Sequence, residues 1–139
     1  MGLSDYDVAS TLATIISQRL VRKLCTKCRK ERPFTEEEKQ IIEKIGKKYG
    51  VEYNLNGMTY DAIGCKHCNN TGFFDRIGVF EILNVTEEIQ TEIMRGKSSI
   101  EIKQEALKQG YRPLVVDGIR KVVQGYTTLE ELNKKLLIY

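Results

Sequence analysis

The sequence predicts an α-rich α+β fold: a tetracysteine zinc-binding insertion with a short two-stranded β element, followed by a small C-terminal helical bundle. Three observations predict it. Two C-x2-C pairs hold all four cysteines, a β-branched and aromatic run near the middle of the chain is typical of a strand, and Ser/Thr-x-x-Glu capping boxes mark helix starts. The capping boxes are Thr35 with Glu38, Ser98 with Glu101, and Thr128 with Glu131.

The first helix is predicted over residues 5–24. Ser4 or Asp5 can cap it, and apolar residues recur every four positions along one face. These residues are Val8, Leu12, Ile16 and Leu20. We expect this helix to run directly into the first cysteine pair.

Five further helices are predicted from capping residues and apolar periodicity, and glycines end most of them. They cover about 36–49 (ended by Gly50), Thr86 to Arg95, Ser98 to about Gln109, Leu114 to Val123, and residues from Thr128 onward. Two strands are predicted between them, a short one over Met58 to Ile63 and a longer one over 76–85. The longer segment has a length that also suits a helix. The longer strand is very apolar, and 58–63 is its one obvious neighbour.

The bulk composition indicates a soluble chain of ordinary domain size. It has 139 residues, of which 41% are hydrophobic and 29% charged, as in typical globular proteins. No stretch approaches the ~18 consecutive apolar residues of a membrane span, and residues 1–10 do not resemble a signal peptide. We therefore expect a cytoplasmic protein with reduced cysteines.

The cysteine pattern predicts one structural zinc ion held by Cys25, Cys28, Cys65 and Cys68. Each C-x2-C pair can turn two sulfurs toward one point, and two pairs provide the four thiolates of a closed tetrahedral site. Unligated cysteines or an iron–sulfur centre are the alternatives. Because no coordination position stays open, we expect no catalytic water on the metal.

His67 and several basic residues lie near the cysteines in the sequence. His67 is the single histidine, and since four thiolates already satisfy zinc, we expect it to be exposed or hydrogen-bonded. The basic residues are consistent with a nucleic-acid patch or with neutralisation of a zinc tetrathiolate, which carries a formal charge of −2. The formal charge of +3 would fall to +1 with bound zinc, which favours neutralisation. The residues are Arg22, Lys23, Lys27, Arg29, Lys30 and Lys66.

Several segments resemble type II secretion and type IV pilus assembly ATPases. The similarity extends over nearly the whole chain and follows the order of that family's motifs. The segments are Gln18 to Arg22 leading into Cys25, Gly64 to Gly72 around the second cysteine pair, Arg76 to Glu81, Asp117-Gly118, and Gly125 to Glu131.

The resemblance implies a fragment of a hexameric cytoplasmic ATPase that lies at the inner face of the cell membrane through its partners. It divides the chain into a helix from the end of a motor domain (1–24), a tetracysteine zinc-binding domain (25–75), and a returning strand with a C-terminal helical domain (76–139). ATP and Mg²⁺ would bind only the full-length parent, because this sequence contains no G-x-x-x-x-G-K-[ST] phosphate loop.

The implied role is therefore non-catalytic, with no catalytic and no nucleotide-binding residues in this chain. It would be structural and would dock to an inner-membrane platform protein, without membrane insertion and without a nucleic-acid partner. Two other readings stay open at this point: a free-standing zinc module that binds nucleic acid, and an enzyme that uses its cysteines in redox chemistry.

Overall fold

The computed structural model describes residues 13–139 and confirms a mixed α+β fold rich in helix. Within those residues it has four strands and five helices. In chain order they are β1 (Thr14–Leu24), β2 (Lys30–Pro33), α1 (Glu36–Tyr49), β3 (Met58–Asp61), β4 (Phe73–Asn84), α2 (Glu87–Met94), α3 (Ser99–Lys108), α4 (Leu114–Val123) and α5 (Leu129–Leu136).

The strands form two sheets of two strands each. β1 pairs with β4, and β2 pairs with β3. The β2–β3 pair is antiparallel, with Lys30 opposite Asp61 at one end and Pro33 opposite Met58 at the other. The cysteine pairs flank this small sheet in the chain: Cys28 precedes β2 and Cys65 follows β3.

The helix predicted over 5–24 is wrong for the residues that form β1, and residues 5–12 lie outside the described part of the chain. The four-residue apolar spacing was misleading, because Ile16 and Leu20 are 63% and 43% exposed, whereas Val21 and Leu24 are buried. β1 instead pairs its backbone with the long strand β4. Tertiary pairing thus outweighs a local helical pattern in a segment rich in β-branched residues.

The strand predicted over 76–85 is confirmed and begins earlier, at Phe73. The neighbour predicted for it is wrong, because β3 pairs with β2 and β4 pairs with β1. β2 has the sequence Lys-Glu-Arg-Pro, which carries no hydrophobic alternation. Because its side chains are polar, no strand was predicted there. The segment 58–63 was therefore the only predicted strand that could pair with β4.

The predicted helix starts after residue 85 and at residue 36 are confirmed. The Thr35 hydroxyl accepts a hydrogen bond from the Glu38 amide at 3.1 Å, and Ser98 and Thr128 cap α3 and α5 in the same way. Gly50 ends α1 in the left-handed region with φ 69°, a conformation that costs glycine little.

The chain divides into two compact units. One comprises residues 18–80 with 114–139, and the other comprises the described part of residues 1–17 with 81–113. In the first unit, α4 packs against α1, α5 and β3. Its buried core contains Val21, Phe34, Ile42, Leu55, Val79, Ile119, Val122, Leu129 and Leu132.

The second unit has a smaller core. Helices α2 and α3 pack together around Val85, Ile89 and Ala106. Helices α2 and α3 belong to this unit, whereas α4 and α5 belong to the unit that contains the cysteines. Within residues 13–139, no helix combines the length and the apolar character that crossing a membrane requires.

Candidate metal centre

The fold brings the four cysteines together at one end of the β2–β3 sheet. Cys25 immediately follows β1, and Cys28 lies two residues before β2. The loop from β3 to β4 carries Cys65 and Cys68. Because Lys30 and Asp61 are paired, the chain enters β2 and leaves β3 side by side, and this places the two cysteine pairs next to each other.

The sulfur positions fit a tetrahedral tetrathiolate site. All four Sγ atoms lie within 4.8 Å of one another. The Cys25–Cys65 and Cys28–Cys68 sulfur distances are both 3.8 Å, and the Cys65–Cys68 distance is 3.7 Å. A metal–sulfur bond of about 2.3 Å gives a tetrahedron with edges of about 3.8 Å, whereas a disulfide requires about 2.05 Å. The four thiols are therefore positioned to bind a metal ion.

Backbone amides donate hydrogen bonds to two of the sulfurs. Cys28 Sγ accepts one from Gly64 at 3.3 Å, and Cys68 Sγ accepts from Cys65 and from Gly72, both at 3.2 Å. Such donors stabilise the negative charge of a thiolate. The amides thus act in favour of the ionised sulfur that a metal requires, and burial acts against it.

The two sulfurs that receive these amides differ in acidity. Burial opposes ionisation of Cys68, but the amides of Cys65 and Gly72 outweigh it and lower its pKa to about 6. Burial raises the pKa of Cys28 to about 11, and the neighbouring thiols add to that increase. Of these two thiols Cys68 is therefore the more acidic, and a divalent cation would supply charge that stabilises both as thiolates.

Left-handed backbone positions shape the second cysteine pair. Gly64 has φ 123° and Gly72 has φ 81°, while Asn69 and Asn70 have φ 53° and 61°. A Cβ on Gly72 would lie 2.7 Å from the Ala62 Cβ, which is closer than packed atoms allow. The Asn-Asn-Thr-Gly sequence of residues 69–72 thus forms the tight turn that follows Cys68.

The site is enclosed on one side and presents His67 on the other. Cys25 and Cys68 are buried, and Cys28 and Cys65 are partly buried. His67 is exposed, as predicted, and its ring stacks on Phe74 with the centroids 4.2 Å apart. The described cluster of potential metal ligands contains the four cysteines and no other residue type.

The arginines near the site contact aromatic rings of the protein itself. The Arg22 guanidinium lies 4.1 Å from the centre of the Phe73 ring, and that of Arg29 lies 4.0 Å from the Tyr60 ring and donates to the Gly125 carbonyl at 2.8 Å. Both groups are therefore used internally. Lys27, Lys30 and Lys66 are the nearby cations that remain exposed.

A C-terminal segment positions the first cysteine pair, and sequence reasoning missed it. The amide of Leu24, the residue before Cys25, donates to the Tyr126 carbonyl at 2.8 Å. The Thr127 hydroxyl donates to the Arg22 carbonyl at 2.8 Å. Segment 125–131 therefore holds the end of β1 from which Cys25 extends.

Glu131 completes this attachment. It is 2% exposed, and its carboxylate accepts from the Arg22 backbone amide at 2.7 Å and from the Arg22 Nε at 3.1 Å. The sequence offered Glu131 only as the last member of a capping box. No sequence signal indicated a second role, because the burial of Glu131 and of Thr127 is visible only in the fold.

Comparison with known proteins gives one matching family and several relatives. The family model described as Type II/IV secretion system protein matches residues 1–134. The chain is 38% identical over 96% of its length to the type IV pilus assembly ATPase PilB of Pseudomonas aeruginosa and 35% identical over 95% to PilB of Thermus thermophilus. It is 34% identical over 95% to type II secretion system protein E of Aeromonas hydrophila.

These relatives are much longer than the chain. The matched region spans 23% of the Pseudomonas protein, 14% of the Thermus protein and 25% of the Aeromonas protein. The chain therefore corresponds to a minor part of each relative, and the similarity extends through both cysteine pairs.

Proposed function

The chain belongs to the Type II/IV secretion system protein family, and we propose that it is the non-catalytic zinc-binding and C-terminal helical portion of a cytoplasmic ATPase that powers type IV pilus assembly or type II secretion. The relatives' names supply the ATPase and the two systems. The role of this portion is structural: it holds a zinc ion, and through that ion it keeps the loops on either side of the β2–β3 sheet in place.

One observation carries the zinc assignment: four sulfurs lie within 4.8 Å of one another. Zinc takes four thiolates in a closed tetrahedral site and needs no further ligand. When bound, it supplies charge and a fixed geometry to Cys25, Cys28, Cys65 and Cys68, and it cross-links residues distant in the sequence. With all four positions taken by sulfur, substrate water has no place on the metal.

The proposal assigns ATP binding and hydrolysis to the longer protein. Residues 1–139 contain no phosphate loop, whose backbone amides and lysine hold the phosphates of ATP. The partners of this portion are the rest of its own hexameric ATPase and the inner-membrane platform protein, without a nucleic acid. The internal use of Arg22 and Arg29 supports this, because neither guanidinium is available to stack on a base.

Exposed residues beside the cysteines form a surface that could dock to the platform. Lys27, Lys66 and His67 are exposed, and we call these three residues the cysteine rim. Arg29 does not belong to it, since its guanidinium holds Tyr60 and Gly125. Lys27 and Lys66 would give such a docking surface a positive charge.

Native mass spectrometry of the chain prepared with zinc tests the metal proposal. We expect one zinc ion per chain and four thiols that alkylate only after chelation. A folded protein without metal, or one with iron and sulfide, would overturn the zinc assignment. In the same preparation, titration with Mg-ATP followed by amide chemical shifts should show no saturable binding, and saturation at micromolar nucleotide would contradict the non-catalytic role.

A further inference from the structure

A second surface, independent of the cysteines, lies along the C-terminal half of α1. It is a groove of about 760 Å³ between α1 and the end of the chain. We call it the basic groove. Its lining is Ile41, Lys44, Ile45, Lys47, Lys48, Ile138 and Tyr139.

The α1 border of the basic groove carries only positive charge. Lys44, Lys47 and Lys48 are exposed, and its lining contains no acidic residue. Among the ion pairs of residues 13–139, none involves these three lysines. Lys48 Nζ lies 5.4 Å from the centre of the Tyr49 ring, but no carboxylate of the described residues neutralises any of the three charges, so they can pair with acidic residues of a partner.

Helix stability explains part of this charge but not all of it. Lys47 and Lys48 lie in the last turn of α1, where cations interact favourably with the helix dipole. Lys44 lies a turn earlier and gains little from that effect. The dipole also gives no reason for the apolar floor between the lysines and the chain end, formed by Ile41, Ile45 and Ile138.

The floor is recessed below the lysines. Ile41, Ile45 and Ile138 are half-buried and pack against the core, whereas the lysines stand exposed at the border. A flat lipid surface meets protruding apolar side chains, and it cannot follow a concave floor of this kind. An amphipathic helix can, by placing its apolar side chains in the groove and its acidic ones over the lysines.

The far end of the groove has the opposite charge. Tyr139 also lines a second cavity together with Glu37, Glu38 and Glu130, so these carboxylates lie near the tyrosine, and burial together with their charges raises its pKa. A partner with acidic residues along its whole length would be repelled there. The charge pattern therefore also gives the partner an orientation, with its acidic residues toward the lysines.

From this complementarity we propose that the basic groove binds an acidic amphipathic helical segment of a partner protein. The apolar residues of that segment contact Ile41, Ile45 and Ile138, and its Asp or Glu side chains pair with Lys44, Lys47 and Lys48. The groove shares no residue with the metal site, so a partner at the groove would not contact the proposed zinc ligands.

Peptide selection tests the proposal on the full 139-residue chain. The library displays random peptides of about 16 residues, which is long enough for i, i+3, i+4 and i+7 anchors. It is selected on the wild-type chain and counter-selected on the variant K44E/K47E/K48E. We expect enriched peptides to combine Asp or Glu with Leu, Ile, Met or Phe at helical spacing. Enrichment of basic peptides, or no enrichment, would overturn the proposal.

Binding of one enriched peptide then locates the site. We expect amide shifts at residues 41–48 and 138–139, and an affinity about tenfold weaker for K47E/K48E than for the wild type, because border charges tune association. K103E/K108E is the matched control: both lysines are exposed on α3, and affinity should not change. Equal loss in both double variants would overturn the proposal, as would lysine-dependent binding to phosphatidylglycerol vesicles without peptide binding.

Discussion

The two cysteine pairs have the same C-x2-C spacing but are positioned by different means. The first pair follows the end of β1, and distant parts of the chain hold it. The Cys25 amide donates to the Gly72 carbonyl at 3.0 Å, and Leu24 donates to Tyr126. The geometry of this pair therefore depends on tertiary structure, including segment 125–131.

The second pair is positioned mainly by its own loop. The Asn70 amide donates to the Cys65 carbonyl at 2.8 Å, and the Thr71 hydroxyl donates to the Cys68 carbonyl at 2.7 Å. Left-handed residues at Asn69, Asn70 and Gly72 wind this segment tightly. The same motif can therefore be preorganised by long-range or by local contacts, and the two pairs should be sensitive to different substitutions.

The largest expected effect is loss of the metal that we propose joins the two pairs. Cys65→Ser removes one thiolate, and we expect zinc loss and unfolding of the unit formed by residues 18–80 and 114–139. Structural zinc sites contribute roughly 10–16 kcal/mol in small peptides, which is similar to the whole stability of a typical domain. Native mass spectrometry and hydrogen exchange measure the two consequences.

The control for this variant is Lys66→Ser, which introduces the same side chain at the exposed neighbouring position. It should keep zinc and its exchange pattern. Helices α2 and α3 should retain protection even in Cys65→Ser, because their core of Val85, Ile89 and Ala106 is separate. Simultaneous loss of protection along the described chain would contradict the division into two units.

The second cysteine pair, which its own loop positions, should be sensitive to one added methyl group. Gly72→Ala places a side chain at φ 81°, a left-handed position that costs non-glycine residues about 1–2 kcal/mol, and its Cβ would lie 2.7 Å from that of Ala62. Relaxation would also displace the amide that donates to Cys68. We expect a destabilisation of about 2–3 kcal/mol in chemical unfolding, and faster zinc transfer to a chelator.

Gly57→Ala is the matched glycine control. A Cβ at Gly57 meets no atom within 4 Å, and Gly57 is not among the glycines with positive φ. Its stability should equal or slightly exceed that of the wild type, because alanine reduces the entropy of the unfolded chain. Equal destabilisation by both substitutions would show that the Gly72 geometry is unimportant.

The first cysteine pair, which tertiary contacts position, should respond to a substitution distant in the sequence. Glu131→Gln keeps the shape of the side chain but removes the charge that binds the Arg22 amide and guanidinium. We expect a loss of about 1–3 kcal/mol, typical of a buried hydrogen bond to a charged group. Exchange at Arg22 to Cys25 should increase, while exchange at Asn69 to Gly72 should not.

Glu130→Gln controls for the helix itself. Glu130 lies in the same first turn of α5 but is exposed, in a 3.7 Å ion pair with Lys134. Exposed pairs of this kind contribute about 0–1 kcal/mol. If Glu130→Gln and Glu131→Gln have the same effect, the buried carboxylate of Glu131 does not hold segment 125–131 to β1.

Local signals made the helices and the cysteine cluster predictable. The Thr35 hydroxyl caps α1 by accepting from the amide of Glu38, three residues along the chain. The C-x2-C spacing determines how two sulfurs converge. β1 and β2 were not predictable in this way. The apolar spacing of Ile16 and Leu20 favoured a helix, and the polar sequence of β2 concealed its pairing with β3, because both strands depend on partners distant in the sequence.

The same distinction applies to the site. The four ligand candidates follow from spacing alone, but the roles of Arg29 and Glu131 do not. The sequence indicated Arg29 as an exposed cation and Glu131 as part of a cap, whereas both hold the first cysteine pair to segment 125–131. Burial decides which charged residue is structural, and burial emerges only from the packed fold.

The smallest expected effect on stability is at the cysteine rim. Lys27→Glu with Lys66→Glu reverses two exposed charges that have no partner among the ion pairs of the described residues, so the free energy of unfolding should change by less than about 0.5 kcal/mol. Zinc content should stay at that of the wild type. If the rim docks to the platform protein, capture of the platform's cytoplasmic part should weaken, with reduced salt dependence, because rim charges act mainly on association.

The comparison between the two cysteine pairs makes this last experiment decisive. Lys27 belongs to the first pair and Lys66 to the second, so single reversals show whether one pair or both face the partner. Lys103→Glu with Lys108→Glu, on α3, controls for net charge. Full-length ATPase that carries the rim reversals should assemble fewer filaments than this control. Normal assembly with the reversals, together with failure in Cys65→Ser, would assign the metal site a bracing role alone, because only the fold around the sulfurs would then matter.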